Sequence, residues 1–317
     1  MKESRKTPLV LLVLLVCTFL PTFAAVPFAQ QDSTLVIRDV FIRTSVAYLW
    51  LSPAIHVVTV VLLVALYLYG SRLGRVVDAF FGILFLFFAF GNHITVTENY
   101  GLVVLTGNLV PILIVGLLWV WEVYRPLNEY VFHKLSAWRY WVVPFVFLAF
   151  WSPINAELNP DFNPLLLLTS SFGVMYCPTT PLIVAVLTLI YPRVNILLLR
   201  ITSFVGLLIG LFNAMSFFMM PGYTLWNLVL HIPLIFISAY GLLITILVKK
   251  NISSQEPPGR RKYRKILDKT LPTTTLYCEK TINRKSACSQ SHFTKALLAD
   301  EGITMLTIDA QLRQDER

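Results

Sequence analysis

Charge is scarce in this chain. Asp, Glu, Lys and Arg make up 14% of its 317 residues, against 56% that are hydrophobic, where a soluble domain carries about 25% charged residues. That scarcity excludes an ordinary water-facing globular surface, and a mean hydropathy of +0.69 points the same way. Cysteine is scarce as well. Cys17, Cys177, Cys278 and Cys288 show no Cys-x-x-Cys spacing, so neither a disulfide framework nor a thiolate zinc site is expected. There is no P-loop, no Gly-rich dinucleotide turn, no clear internal repeat, and no catalytic pair of carboxylates inside the apolar stretches. An enzyme is therefore not the first expectation.

What the chain has in abundance is long apolar runs. Lys2, Arg5 and Lys6 precede an apolar stretch from Leu9 to Leu20, then Pro21 and small residues. That layout fits a signal peptide with a cleavage site at Thr22-Phe23-Ala24, or an uncleaved anchor helix, over residues 1–29. Residues 30–45 mix polar and apolar positions and read as a short external or interfacial segment. Seven apolar spans follow within 46–248, near 46–70, 75–92, 101–121, 140–156, 165–191, 197–220 and 224–248, each close to the roughly 20 residues a bilayer needs. The expected fold is an all-α polytopic membrane helix bundle. The fourth span is short and the fifth long, which predicts tilt or a helix break around Pro178 and Pro181.

Basic residues orient the spans. With the N-terminus inside, Lys2, Arg5, Lys6, Arg72, Arg75, Arg125, Lys134, Arg139, Arg193 and Arg200 fall on the cytoplasmic side, and only Arg38 and Arg43 fall outside. This puts the protein in the cell membrane with its tail, 249–317, in the cytoplasm. The tail holds 14 of the 26 Lys and Arg and 8 of the 17 Asp and Glu, for a net +6 of the chain's +9. It reads as mostly irregular, with Phe293 to Asp300 suited to a short helix and Ile303 to Ala310 to a short strand. A basic segment beside a membrane suits an anionic lipid surface, and no nucleic-acid partner is expected.

The segment Thr169 to Pro181, Thr-Ser-Ser-Phe-Gly-Val-Met-Tyr-Cys-Pro-Thr-Thr-Pro, is small and rich in hydroxyls amid apolar surroundings. Such residues should face protein or water, because lipid offers no hydrogen bonds. Ser52, His56 and Thr59 share one helix face, as do Asn227, His231 and Ser238. His56, His93, Cys177, Thr180, Asn213, Asn227 and His231 make a set of candidate binding residues in the outer halves of the spans. Imidazoles and a thiol could hold copper, zinc or haem, although no two of these histidines share a helix and no cofactor is assigned. The plainer expectation is hydrogen bonding between helices. Glu122 and Arg125, three residues apart beside Trp119 and Trp121, read as an interfacial anchor. Gly206-x-x-x-Gly210 suits close helix approach, within the bundle before a homo-oligomer.

Phe172-Gly173-Val174-Met175-Tyr176-Cys177-Pro178-Thr179-Thr180 resembles the Phe-Gly-Val-Thr-Pro-Cys-Pro-Thr-Thr signature of an uncharacterised prokaryotic family of integral membrane proteins, a domain of unknown function. The likeness extends over most of 46–248 and includes His93 before the Tyr100-Gly101 loop. Met175 and Tyr176 stand where that family has Thr and Pro, and the N-terminal segment and basic tail are additions. The resemblance implies a multi-pass helical fold and supplies no activity. The leading functional expectation is small-solute or ion binding or transport through a polar outer-half site. The alternatives are a metal or haem redox protein and a structural or accessory subunit.

Overall fold

Apolar runs become helices because a helix satisfies its backbone polar groups internally. The computed structural model describes residues 6–132, 137–155, 159–219 and 224–254. Its helices are α1 (Lys6–Cys17), α2 (Ser33–Tyr48), α3 (Ser52–Tyr69), α4 (Gly74–Gly91), α5 (Thr106–Tyr124), α6 (Val142–Trp151), α7 (Leu166–Thr169), α8 (Tyr176–Ile190), α9 (Ile196–Met219) and α10 (Leu225–Ser254). The chain divides into two units, Met1–Asn251 and Ile252–Arg317. The predicted tail helix and strand lie outside the described residues.

Among the described residues, five helical stretches are long and apolar enough to cross a bilayer: Gln30–Arg72, Gly74–Gly91, Thr106–Tyr124, Ile196–Met215 and Leu225–Leu247. Helix α3 is inside out by the standards of a water-soluble fold. On α3 the buried residues are Ser52, His56, Thr59 and Leu66, while Val57, Val61, Val64 and Leu68 point outward. Polar groups facing protein and valines facing away is the arrangement a hydrocarbon solvent demands. The structure thus has several apolar helices suited to a membrane.

The expectation of an all-α fold needs correction. The fold is mostly but not wholly helical: the loop after α4 forms strands β2 (Ile94–Thr97) and β3 (Gly101–Val104), and β1 (Phe23–Ala24) adds to β3 in the order β1-β3-β2, all antiparallel. Alternating β-branched residues in Ile94-Thr-Val-Thr97 favour a strand over continued helix. Residues 30–45, read as a short external or interfacial segment, are helical and run into α3 through a 3₁₀ turn. Val36 and Val40 of α2 pack with Val103 and Leu105 beside the sheet, which gives that helix its buried stripe.

The fourth and fifth stretches also depart. Instead of 140–156, the apolar helix covers Ala137–Trp151 and stops where Ser152 takes a left-handed conformation (φ 42°) before Pro153. Instead of 165–191, one turn at α7 is followed by a non-helical stretch, and α8 begins only at Tyr176. The break therefore lies at 170–175, ahead of the two prolines. Pro178 sits in the first turn of α8, where a missing N–H leaves no bond unmade, and Pro181 lies farther along the same helix.

Candidate functional site

The 169–181 segment organises one polar cluster. Gly173 takes φ 79°, a conformation that favours glycine, and its N–H donates to Thr179 Oγ1 at 2.7 Å, folding the non-helical stretch back onto the start of α8. The Thr179 hydroxyl in turn donates to the Met175 carbonyl at 2.7 Å. His56 of α3 enters between the rings of Phe150 and Phe172, with centroids 4.7 and 5.0 Å away. Its Nδ1 lies 2.8 Å from the Ser52 carbonyl, which can only accept, so Nδ1 carries a proton. Its Nε2 lies 3.2 Å from Ser170 Oγ. The Ser52 hydroxyl donates to the Ser170 carbonyl at 2.5 Å. Ser52, His56 and Ser170 are all buried, so this cluster satisfies its own polar groups and ties α3 to the broken stretch.

The other sequence candidates do not join it. Cys177 Sγ accepts from Asn213 Nδ2 at 3.1 Å, linking α8 to α9. Asn227 Oδ1 accepts from the Thr224 N–H at 2.9 Å, and His231 Nδ1 donates to the Asn227 carbonyl at 2.6 Å, both within or beside α10. Thr180 donates to the Tyr176 carbonyl at 2.9 Å, one turn back. His93, after α4, donates from Nδ1 to the Phe88 carbonyl at 2.7 Å under the ring of Phe41. Burial pushes its imidazole down to about 4, so it is neutral at physiological pH. Apart from His56, the candidates thus meet in separate contacts and not in one cluster. Among the described residues, no group of three His, Cys, Asp or Glu side chains could hold a metal ion.

A second cluster, at the opposite ends of the helices, is richer in charge. Asp78 in α4 and Glu122 at the end of α5 are both fully buried. Glu122 does not pair with Arg125, whose guanidinium lies 5.1 Å from the Trp121 ring centroid. It turns inward because the chain after α5 folds back over it. Glu122 Oε1 accepts from the N–H groups of Leu127 (2.5 Å) and Asn128 (2.7 Å), and Oε2 accepts from Asn195 Nδ2 at 2.6 Å. Asn195 also caps α9, its Oδ1 accepting from Leu197 and Leu198 N–H at 3.1 and 3.3 Å.

Asp78 uses one oxygen twice. Oδ1 accepts from Tyr130 Oη at 2.5 Å and from Asn128 Nδ2 at 3.1 Å. Burial, then the Asp78 carboxylate, raise the Tyr130 phenol well above its ordinary range, which keeps it protonated and donating. Asp78 Oδ2 is buried with no hydrogen-bond partner among the described residues. Asp78 and Asn128 line a cleft of about 430 Å³ together with Ser71, Arg72, Gly74, Arg75 and Pro126. Asp78 thus lines the cleft while its second oxygen stays buried and unpartnered among the described residues.

Sequence reasoning missed Asp78. Its signal was present: it is the lone acid in the predicted span 75–92, and an ionisable group in such a span is a functional candidate by default. Glu122 was seen and given the wrong partner, because helix spacing favours Arg125 while the fold-back at Pro126 is not legible from spacing. No family model, curated protein or solved structure matches the chain.

Proposed function

We propose that the chain is a multi-pass protein of the cell membrane that binds or transports a small solute or ion, and that its site is the Asp78–Glu122 cluster rather than the outer-half polar face. Seven crossings are retained, the fourth and fifth made by Ala137–Trp151 and Tyr176–Ile190. A 15-residue helix spans roughly 22 Å, short of a hydrocarbon core about 30 Å thick. The difference at the fifth crossing is made up by 166–175, whose Ser170, Phe172, Gly173 and Val174 are buried in protein, the condition for irregular backbone at membrane depth. With the basic residues inside, the Asp78–Glu122 cluster faces the cytoplasm, as does the tail, which lies outside the described residues from 255 onward.

One observation carries the functional reading: a fully buried carboxylate with an unpartnered oxygen at the wall of a cleft. Desolvating such a group is unfavourable unless it is fully paired, and proteins place few of them. The test is uptake by proteoliposomes across a panel of inorganic ions, amines and amino acids, with wild type and D78N in parallel. Asn keeps an acceptor for Tyr130 and Asn128 and removes the free anionic oxygen. The expected result is uptake of at least one panel member by wild type and its loss in folded D78N. Equal uptake by both would overturn the assignment of the site.

A further inference from the structure

The cleft is charged oppositely at its two ends. Its floor is Asp78, whose Oδ1 is filled by Tyr130 and Asn128 and whose Oδ2 is unfilled. Glu122 does not compete for a ligand, since both its oxygens are engaged by Leu127, Asn128 and Asn195. The lining also contains Arg72 and Arg75, both exposed and neither ion-paired with a described residue, and Ser71. Arg75 stands in the first turn of α4, a helix with no acidic residue in that turn. A cation at the positive pole of a helix dipole adds to the potential instead of offsetting it. The mouth is therefore built to attract an anion, and the floor to accept N–H donors.

We infer that the cleft binds a small zwitterion, a primary ammonium on Asp78 Oδ2 and a phosphate or carboxylate on Arg72 and Arg75. Arg75 and Asp78 lie within one turn of the same helix, so one small molecule can meet both charges, as an ethanolamine phosphate would. A quaternary amine fits poorly, because it has no N–H to give to Oδ2. At the cytoplasmic end of the spans the same chemistry is available from a phosphatidylethanolamine headgroup and from a free aminophosphate or amino acid. This assignment rests on the binding function proposed above and names its substrate class.

Full-length protein in detergent and in nanodiscs separates the two sources. Thermal stabilisation is measured with O-phosphoethanolamine, phosphocholine, inorganic phosphate and ethanolamine as free probes, and with nanodiscs of phosphatidylethanolamine or phosphatidylcholine. Stabilisation by the ethanolamine member of either pair over its choline counterpart is expected. D78N should remove that preference, and R72Q/R75Q should weaken phosphoethanolamine binding about tenfold or more. A response to free probe assigns a soluble zwitterion; a response only in nanodiscs assigns the lipid. No preference for ethanolamine over choline in wild type, or a preference unchanged in D78N, would overturn the inference. R72Q/R75Q alters only exposed side chains, so it reports on the anion subsite even if D78N folds poorly. Loss of uptake in D78N together with no ethanolamine preference would remove the zwitterion while leaving the site; unchanged uptake in D78N would remove the parent reading instead.

Discussion

Replacing Glu122 by Gln exchanges one acceptor for a donor at nearly constant shape, and the surroundings leave no room to adapt. With the amide oxygen kept toward the Leu127 and Asn128 N–H groups, the amide nitrogen meets Asn195 Nδ2, which now sits 2.6 Å from Oε2. Turning the Gln over sets its nitrogen against two backbone N–H groups, which is worse. Turning Asn195 over strips the cap from Leu197 and Leu198. One buried donor is left unmatched in every arrangement, at a cost of about 1–3 kcal/mol. At about 2 kcal/mol, E122Q should unfold about 4–8 °C below wild type, read by tryptophan fluorescence of the purified full-length protein in detergent. E122Q/N195D reverses the polarity of the pair and keeps an acceptor for the α9 cap, so it should recover more than half of the loss. Glu122→Ala orphans all three donors and should fail to yield folded protein. If E122Q melts with wild type, the inward turn of Glu122 is wrong and its place is at the interface with Arg125.

Other predictions follow from single contacts. The native state holds His93 neutral down to about 4, whereas an unfolded histidine protonates near 6.5, so unfolding takes up a proton below that pH. Stability should fall as pH drops from about 6.5 to about 4, by about 3 kcal/mol in total, and H93Q should lose that slope; an unchanged slope would clear His93 of the effect. Across α9 and α10, a Cβ on Gly206 would lie 2.5 Å from Ser238 Oγ, and one on Gly241 2.4 Å from Ser203 Oγ. G206A should therefore destabilise by about 1–3 kcal/mol. G206A/S238A should restore most of it, because Ser238 Cβ is 3.5 Å away and its hydroxyl has no partner among the described residues. Finally, Phe23 and Ala24 pair with Val104 and Val103, and Leu14 of α1 is buried in the main core. The N-terminal segment is thus expected to stay attached in membrane-extracted protein, and terminal sequencing that found a new start at Ala25 would refute this.

Helix identity was legible because hydropathy over long windows is a local property. α4, α5, α9 and α10 follow directly from their apolar runs. So was the polar face of α3, since Ser52, His56 and Thr59 share a face and all turn inward. The helix break was legible as an excess of length but misplaced, because proline is visible in a sequence while a Gly173 turn bonded to Thr179 is not. The outer-half candidates did not converge for a related reason: Asn227 and His231 satisfy themselves on their own helix, and Cys177 is met by Asn213 alone. Spacing reports which residues share a face, not which faces meet. The Asp78–Glu122 cluster draws on four separated stretches, and Asn128, the residue that joins them, lies in a loop with no periodicity to read. The Gly206 face lies against α10, a helix of the same chain.

The three-stranded sheet also imposes an order on biosynthesis. Phe23 has no hydrogen-bonded neighbour until Val104 has been made, so β1 must wait while α2, α3 and α4 are synthesised and inserted. During that interval Phe23 and Ala24 are without the strand partner they have in the folded chain. Once β3 arrives, Ala25 N–H bonds the Leu102 carbonyl and Val26 N–H the Tyr100 carbonyl, and the same peptide is locked in a sheet. The length of chain separating the two strands therefore sets how late the N-terminal segment is fixed to the rest of the fold.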